Sequence, residues 1–155
     1  TEKATRSQGS ADGKFLGVSL GAGFIDYDCT FRLPYGAVDF SFAFPLKSAK
    51  QYSLGAYVMF SGSKDLNFSV GPLLLIHYQN RPSLMLGAGV DIGCLYNPEG
   101  ALNLRVGGVW KKFYMFFNGS LGGYNKELPC CNKDCAPVLK SYFKSMCGMH
   151  FGYRF

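Results

Sequence analysis

The chain has 155 residues, room for one domain but not two ordinary ones, and only 17% of them are charged, against roughly 25% in soluble globular domains. Its 20 Gly, 14 Phe and 10 Tyr argue against a helical protein, because Gly interrupts nearly every block of ten and no stretch keeps a helical period. The longest apolar run, Leu73-Leu74-Leu75-Ile76, is far short of the roughly 18 residues of a membrane helix. The net charge of +6 suits an anionic lipid surface, but no basic run exceeds Lys111-Lys112 and no nucleic-acid motif is present.

Residues 1–13 are polar, with no apolar residue larger than Ala. They read as an extended tail, the mature end of an exported chain whose signal has been removed. From Lys14 onward, every second residue is apolar. Lys14–Phe24 places Leu16, Val18, Leu20, Ala22 and Phe24 on one face, against Gly17, Ser19, Gly21 and Gly23 on the other. Gly36–Leu46 alternates Val38, Phe40, Phe42 and Phe44 with Ala37, Asp39, Ser41 and Ala43. Gln51–Ser61 alternates Leu54, Val58 and Phe60 with Ser53, Gly55 and Tyr57.

The same period runs on through Phe68–Tyr78, Ser83–Tyr96, Ala101–Trp110, Phe113–Tyr124 and Ser141–Phe155. A period of two means strands. Eight strands of roughly ten residues each match the length a tilted strand needs to cross a bilayer.

Orientation follows from solubility. If the large apolar face pointed inward, the outer surface would be mostly Gly with few charges. With Leu, Val, Phe and Ile turned to lipid, the small and polar residues fill a narrow lumen. The fold class predicted is therefore all-β: an eight-stranded antiparallel up-and-down transmembrane β-barrel over 14–155, behind a periplasmic tail over 1–13. The connections Ile25–Tyr35, Gly62–Asn67, Asn97–Gly100 and Asn125–Lys140 are assigned to the outer end. Lys47–Lys50, Gln79–Pro82 and Lys111–Lys112 are assigned as tight periplasmic turns, with both termini periplasmic.

The last strand carries a recognisable pattern. Met149, Phe151, Tyr153 and Phe155 alternate up to a final Phe. This resembles the terminal strand by which the barrel-assembly machinery recognises outer-membrane proteins, and the strand count resembles the small barrels of the outer membrane protein A and X type. The resemblance covers Lys14–Phe155 as architecture, and its sequence-specific part is the last strand. It implies the outer membrane of a Gram-negative cell envelope, with lipid, lipopolysaccharide and the assembly machinery as partners.

The predicted inward-facing charges are Asp39, Asp91, Arg105, Lys144, His150 and Arg154. A buried charge needs a partner. Asp91 and Arg105, on neighbouring strands, form the expected ion pair, and the set reads as a polar plug rather than a pore. His77 and His150 both fall near the periplasmic end with no Ser and carboxylate at their height, so no catalytic residue is assigned. A lipid A-modifying enzyme and a narrow channel are the alternatives.

Five cysteines fall at the outer rim: Cys29, Cys94, Cys130, Cys131 and Cys135. They are disulfide candidates in an exported protein, with Cys29 facing the last loop across the closing strands. Three close thiols also resemble a zinc set, but no His lies near them, so no metal or cofactor is predicted. Cys147 and Pro72 both sit on the lipid row, where Pro72 marks a bulge or a lateral contact. Together these features suggest a non-enzymatic barrel whose outer loops bind other outer-membrane proteins, alone or as an accessory subunit of a larger complex.

Overall fold

The computed structural model describes residues 14–27, 31–63, 66–79, 81–92, 100–128 and 138–155. They form β1 (Phe15–Tyr27), β2 (Phe31–Leu46), β3 (Ala49–Gly62), β4 (Leu66–Ile76), β5 (Ser83–Ile92), β6 (Gly100–Trp110), β7 (Phe113–Leu128) and β8 (Val138–Arg154). Each strand pairs antiparallel with its sequence neighbours, and β1 pairs with β8 from Gly17↔Arg154 to Tyr27↔Lys144. The chain is thus an all-β, eight-stranded closed barrel.

The two faces separate as the period of two demands. Asp39, Ser41, Ser53, Ser69, Asn103 and Arg105 are buried in the interior. Leu20, Leu102, Leu104, Phe117 and Phe151, offset by one residue in their strands, are all at least half exposed on the outer wall. The interior is more aromatic than a Gly-rich face suggests. Phe15, Tyr57, Leu73, Met85, Tyr114 and Phe116 belong to one buried apolar cluster, and Ile25, Tyr35, Met59 and Met146 to a second.

The inward glycines explain how such bulk fits. A Cβ at Gly17 or Gly152 would collide with the Tyr114 ring, one at Gly21 with His150, and one at Gly148 with Tyr35. Each lies opposite a large side chain and leaves a socket for it. An interior this narrow reaches protein-like packing only by setting bulk against absence.

The strands outrun the sequence reading at one end. β1 and β2 stay paired as far as Tyr27↔Phe31, so the connection there is 28–30 rather than Ile25–Tyr35. β7 and β8 stay paired as far as Leu128↔Val138, which takes in much of the expected loop Asn125–Lys140. The β3–β4 connection shrinks to 63–65. A long-loop, short-turn alternation therefore does not hold. What distinguishes this end is ladder overhang: β6 leaves β7 at Gly123 and β1 leaves β8 at Lys144, while the β7–β8 ribbon runs on through Tyr124–Leu128.

At ~3.3 Å per residue the ribbon stands roughly 17 Å beyond the closed wall. Along Tyr124–Leu128 the sequence alternation lapses, so periodicity misses the ribbon. At the β1–β2 tip the cross-strand pair Asp26↔Arg32 forms a two-pronged ion pair, Nε to Oδ1 at 2.7 Å and Nη2 to Oδ2 at 3.1 Å.

Pro72 makes no bulge. Its pairing with Ala56 on β3 is kept, and the β4–β5 register is the same on either side, Val70↔Val90 and Leu73↔Gly87. The ladder is simply unpaired across Gly71 and Pro72, as a residue without an N–H requires. The register irregularity in the barrel is instead at Pro45/Leu46, beside a tight turn.

Candidate functional site

The functional candidates line the interior. Arg105 on β6 donates through Nη1 to Asp39 Oδ2 on β2 at 2.7 Å, and both side chains are fully buried. In an eight-stranded ring β2 and β6 are opposite one another, so the pair spans the lumen as a strut. The guanidinium also lies 3.2 Å from the Tyr57 ring centre and 4.5 Å from that of Phe116. Gly87 leaves the space that the Arg105 stem occupies. Ser41 Oγ donates to the other Asp39 oxygen at 2.5 Å. A planar cation between two rings and a carboxylate is the environment that suits a buried Arg.

The expected Asp91–Arg105 pair is not formed. The ladder sets Arg105 opposite Gly87, four positions along β5 from Asp91. The two are neighbours by strand but not by height. Asp91 instead accepts from Ser69 Oγ and, at 3.0 Å, from Asn103 Nδ2. Tyr57 Oη donates to Asn103 Oδ1 at 3.0 Å. One polar chain therefore runs from Ser69 through Asp91 and Asn103 to Tyr57, whose ring holds Arg105.

A second strut lies toward the overhanging end. Lys144 Nζ on β8 donates to Asn67 Oδ1 on β4 at 3.2 Å. β4 and β8 are again opposite strands. The sequence placed Lys144 inside but did not supply its partner, since Asn67 was assigned to a loop.

His150 is fully buried and stacks on Phe116, centroids 4.4 Å apart and nearly parallel. Its ring nitrogens make no hydrogen bond among the described residues. Arg154 lies at the tight-turn end, donating through Nη2 to the Lys14 carbonyl at 3.0 Å, with its guanidinium 6.0 Å from the Phe15 ring centre.

His77 departs from the sequence reading. It has serines at its own height: Nε2 lies 2.7 Å from Ser53 Oγ and Nδ1 2.9 Å from Ser83 Oγ. A neutral imidazole donates from one nitrogen and accepts at the other, so both contacts are satisfied without charge. Burial, and secondarily the positive Arg154, push the His77 pKa below its ordinary 6.5. Ser53 is fully buried and no carboxylate joins the trio among the described residues. Ser83, the other member of the trio, is half-buried.

The Cys29, Cys94, Cys130, Cys131 and Cys135 disulfide candidates lie outside the described residues. Cys147 is a free, exposed thiol on the outer wall, beside a shallow groove of about 800 Å³ that also includes Pro72, Leu86, Ala88 and Leu104. Phe151, Tyr153 and Phe155 are exposed on the outer row of β8, and Met149 on the same row is half-buried.

No protein-family model matches the chain, and no curated protein matches it.

Proposed function

We propose that the chain is an integral barrel of a Gram-negative outer membrane, non-enzymatic, with a plugged lumen and an interaction role at its overhanging end. The observation that carries this reading is the inversion of its two walls: large apolar side chains face out and charged, hydrogen-bonded ones face in. Water would disfavour such an outer wall, and hydrocarbon would not. Both tight turns and termini then face the periplasm. The β8 row of Met149, Phe151, Tyr153 and Phe155 serves as the assembly signal.

The Arg105–Asp39 and Lys144–Asn67 struts cross the space a pore would need. The β7–β8 ribbon is the natural place for a partner, because it leaves the wall and exposes unpaired strand edges. Disulfides among the rim cysteines would brace that end, and the barrel would act as an accessory subunit of a larger outer-membrane complex.

Planar-bilayer recording tests the plug. The wild-type chain is expected to insert without a steady open level. Arg105→Ala is expected to give a measurable conductance, since it removes one strut and strands a carboxylate. A large steady wild-type conductance would replace the plug with the channel reading. A changed lipid A acyl pattern in cells carrying the chain would replace it with the enzyme.

A further inference from the structure

The net charge of +6 is not spread over the molecule. It collects at the tight-turn rim. The β2–β3 turn carries Lys47, with Lys50 at the start of β3, the β4–β5 connection carries Arg81, and the β6–β7 turn Lys111 and Lys112. Lys14 precedes β1 and Arg154 ends β8 at the same rim. All are exposed except the half-buried Arg154. The sequence has no Asp or Glu within 44–53, 75–85, 108–116 or 150–155.

Elsewhere the charges cancel or nearly so. Taken together, segments 26–32, 62–66, 93–100 and 124–144 of the sequence hold six carboxylates and six cations. Residues 1–13 are balanced, and the lumen sets Arg105 against Asp39 and Asp91.

The cations also have company. Just inside them on the outer wall stand Trp110, Phe113, Tyr153 and Phe155, all exposed. Phe113 and Tyr153 meet edge to face at 5.7 Å, and Tyr153 meets Phe155 at 5.4 Å. At the β6–β7 turn, Trp110, Lys111, Lys112 and Phe113 line an open cleft of about 400 Å³. Lys111 holds a positive φ of 53° there, a conformation that costs a non-Gly residue energy.

We propose that this rim is a collar for anionic phospholipid headgroups, with the Trp110–Phe113 cleft as its tightest seat. The inference rests on the membrane reading above. In the cleft, the ammonium groups of Lys111 and Lys112 meet a headgroup phosphate, while Trp110 and Phe113 pack against the upper acyl chain. A lipid surface is favoured over a protein partner by the distribution of the cations. They occur on every tight turn and at both ends of the strand ring, where a docked protein would use one sector. They also sit directly beyond an apolar wall, at the height of headgroups.

The test uses the purified full chain in nanodiscs of phosphatidylglycerol mixed with phosphatidylcholine, with retained lipids counted by native mass spectrometry. Wild type is expected to retain phosphatidylglycerol preferentially, and the preference to fall with salt. Each rim cation removed should weaken retention about five-fold, so a K47Q/K50Q/K111Q/K112Q variant should lose the preference. A K126Q/K140Q variant, altered at the other end, should keep it.

Heat-modifiable gel mobility reports whether each variant is a folded barrel. Equal retention of both lipids by wild type, or an unchanged preference in the folded rim variant, would overturn the collar. So would equally strong binding of soluble polyglutamate, which would assign the rim to an acidic polymer instead. A chain that enters neither lipid and shows no heat-shifted band would fail the membrane reading itself, and the collar with it.

Discussion

The inner and outer walls of this barrel are built from the same strands, one residue out of step, and they keep opposite rules. Leu104 is 65% exposed with no polar partner to satisfy, while Arg105 beside it is buried and held by a carboxylate and two aromatic rings. The outer wall asks only that a side chain be apolar. The inner wall asks for shape and for hydrogen bonds, because it must fill a closed space without stranding a polar group. Mutations should therefore act through identity on the inside and through hydropathy on the outside.

The largest effect should come at the strut. Arg105→Ala leaves Asp39 buried without its cation and should destabilise the barrel by about 3–5 kcal/mol, read by urea unfolding in lipid vesicles. Leu104→Arg next to it places a charge on the outer wall and should cost about 2–4 kcal/mol in a bilayer. If Leu104→Arg were neutral in vesicles, the contrast between the walls would collapse.

Packing comes next. Gly21→Val drives a side chain into His150 and should cost roughly 1–3 kcal/mol. Ala22→Val, one residue on and facing out, should stay within about 0.5 kcal/mol. Smaller and of opposite sign is Lys111→Gly, which relieves the positive φ and should stabilise the fold by about 1 kcal/mol, while weakening lipid retention.

The smallest effect is a pH dependence. The folded pKa of His77 lies below 6.5, so the neutral ring is the one the fold prefers. Its contribution is complete above 6.5 and is lost as pH falls from there toward the folded value. Unfolding curves of wild type and His77→Gln should thus run parallel near neutral pH and converge or cross below it. A gap that did not change with pH would show that the Ser53–His77–Ser83 bridge does not depend on protonation.

How much of this was legible in the sequence differs between the walls. The outer row could be read residue by residue, because a period of two needs only a contrast in hydropathy. The inward burial of Asp39, Asp91, Arg105 and His150 follows the same period, while Arg154, also expected inside, lies half-buried at the tight-turn rim. The partners of these charges were not legible. Asp91 and Arg105 look adjacent along the strand order, but the pairing depends on register, which sets Arg105 level with Gly87 and lets it reach Asp39 on the far side. The Ser53 and Ser83 contacts of His77 were hidden for the same reason, since they cross strand boundaries.

The β7–β8 overhang was missed because the sequence stops alternating along Tyr124–Leu128. Asp26, Arg32 and Pro34 look like loop residues by type even though they are paired in a strand. The rim charge could have been found by assigning each Lys and Arg to an end of the barrel rather than counting them together.

The proposed membrane barrel requires its outer wall to meet hydrocarbon. The chain's single tryptophan, Trp110, stands on that wall at the tight-turn rim, 67% exposed. Its fluorescence in vesicles of brominated phosphatidylcholine, with bromines placed at different acyl depths, tests the claim most directly. A lipid-facing Trp110 should give a blue-shifted emission, quenched most strongly by bromines near the headgroup and protected from aqueous acrylamide. Emission at water-exposed wavelengths, open to acrylamide and untouched by bromines at any depth, would contradict it.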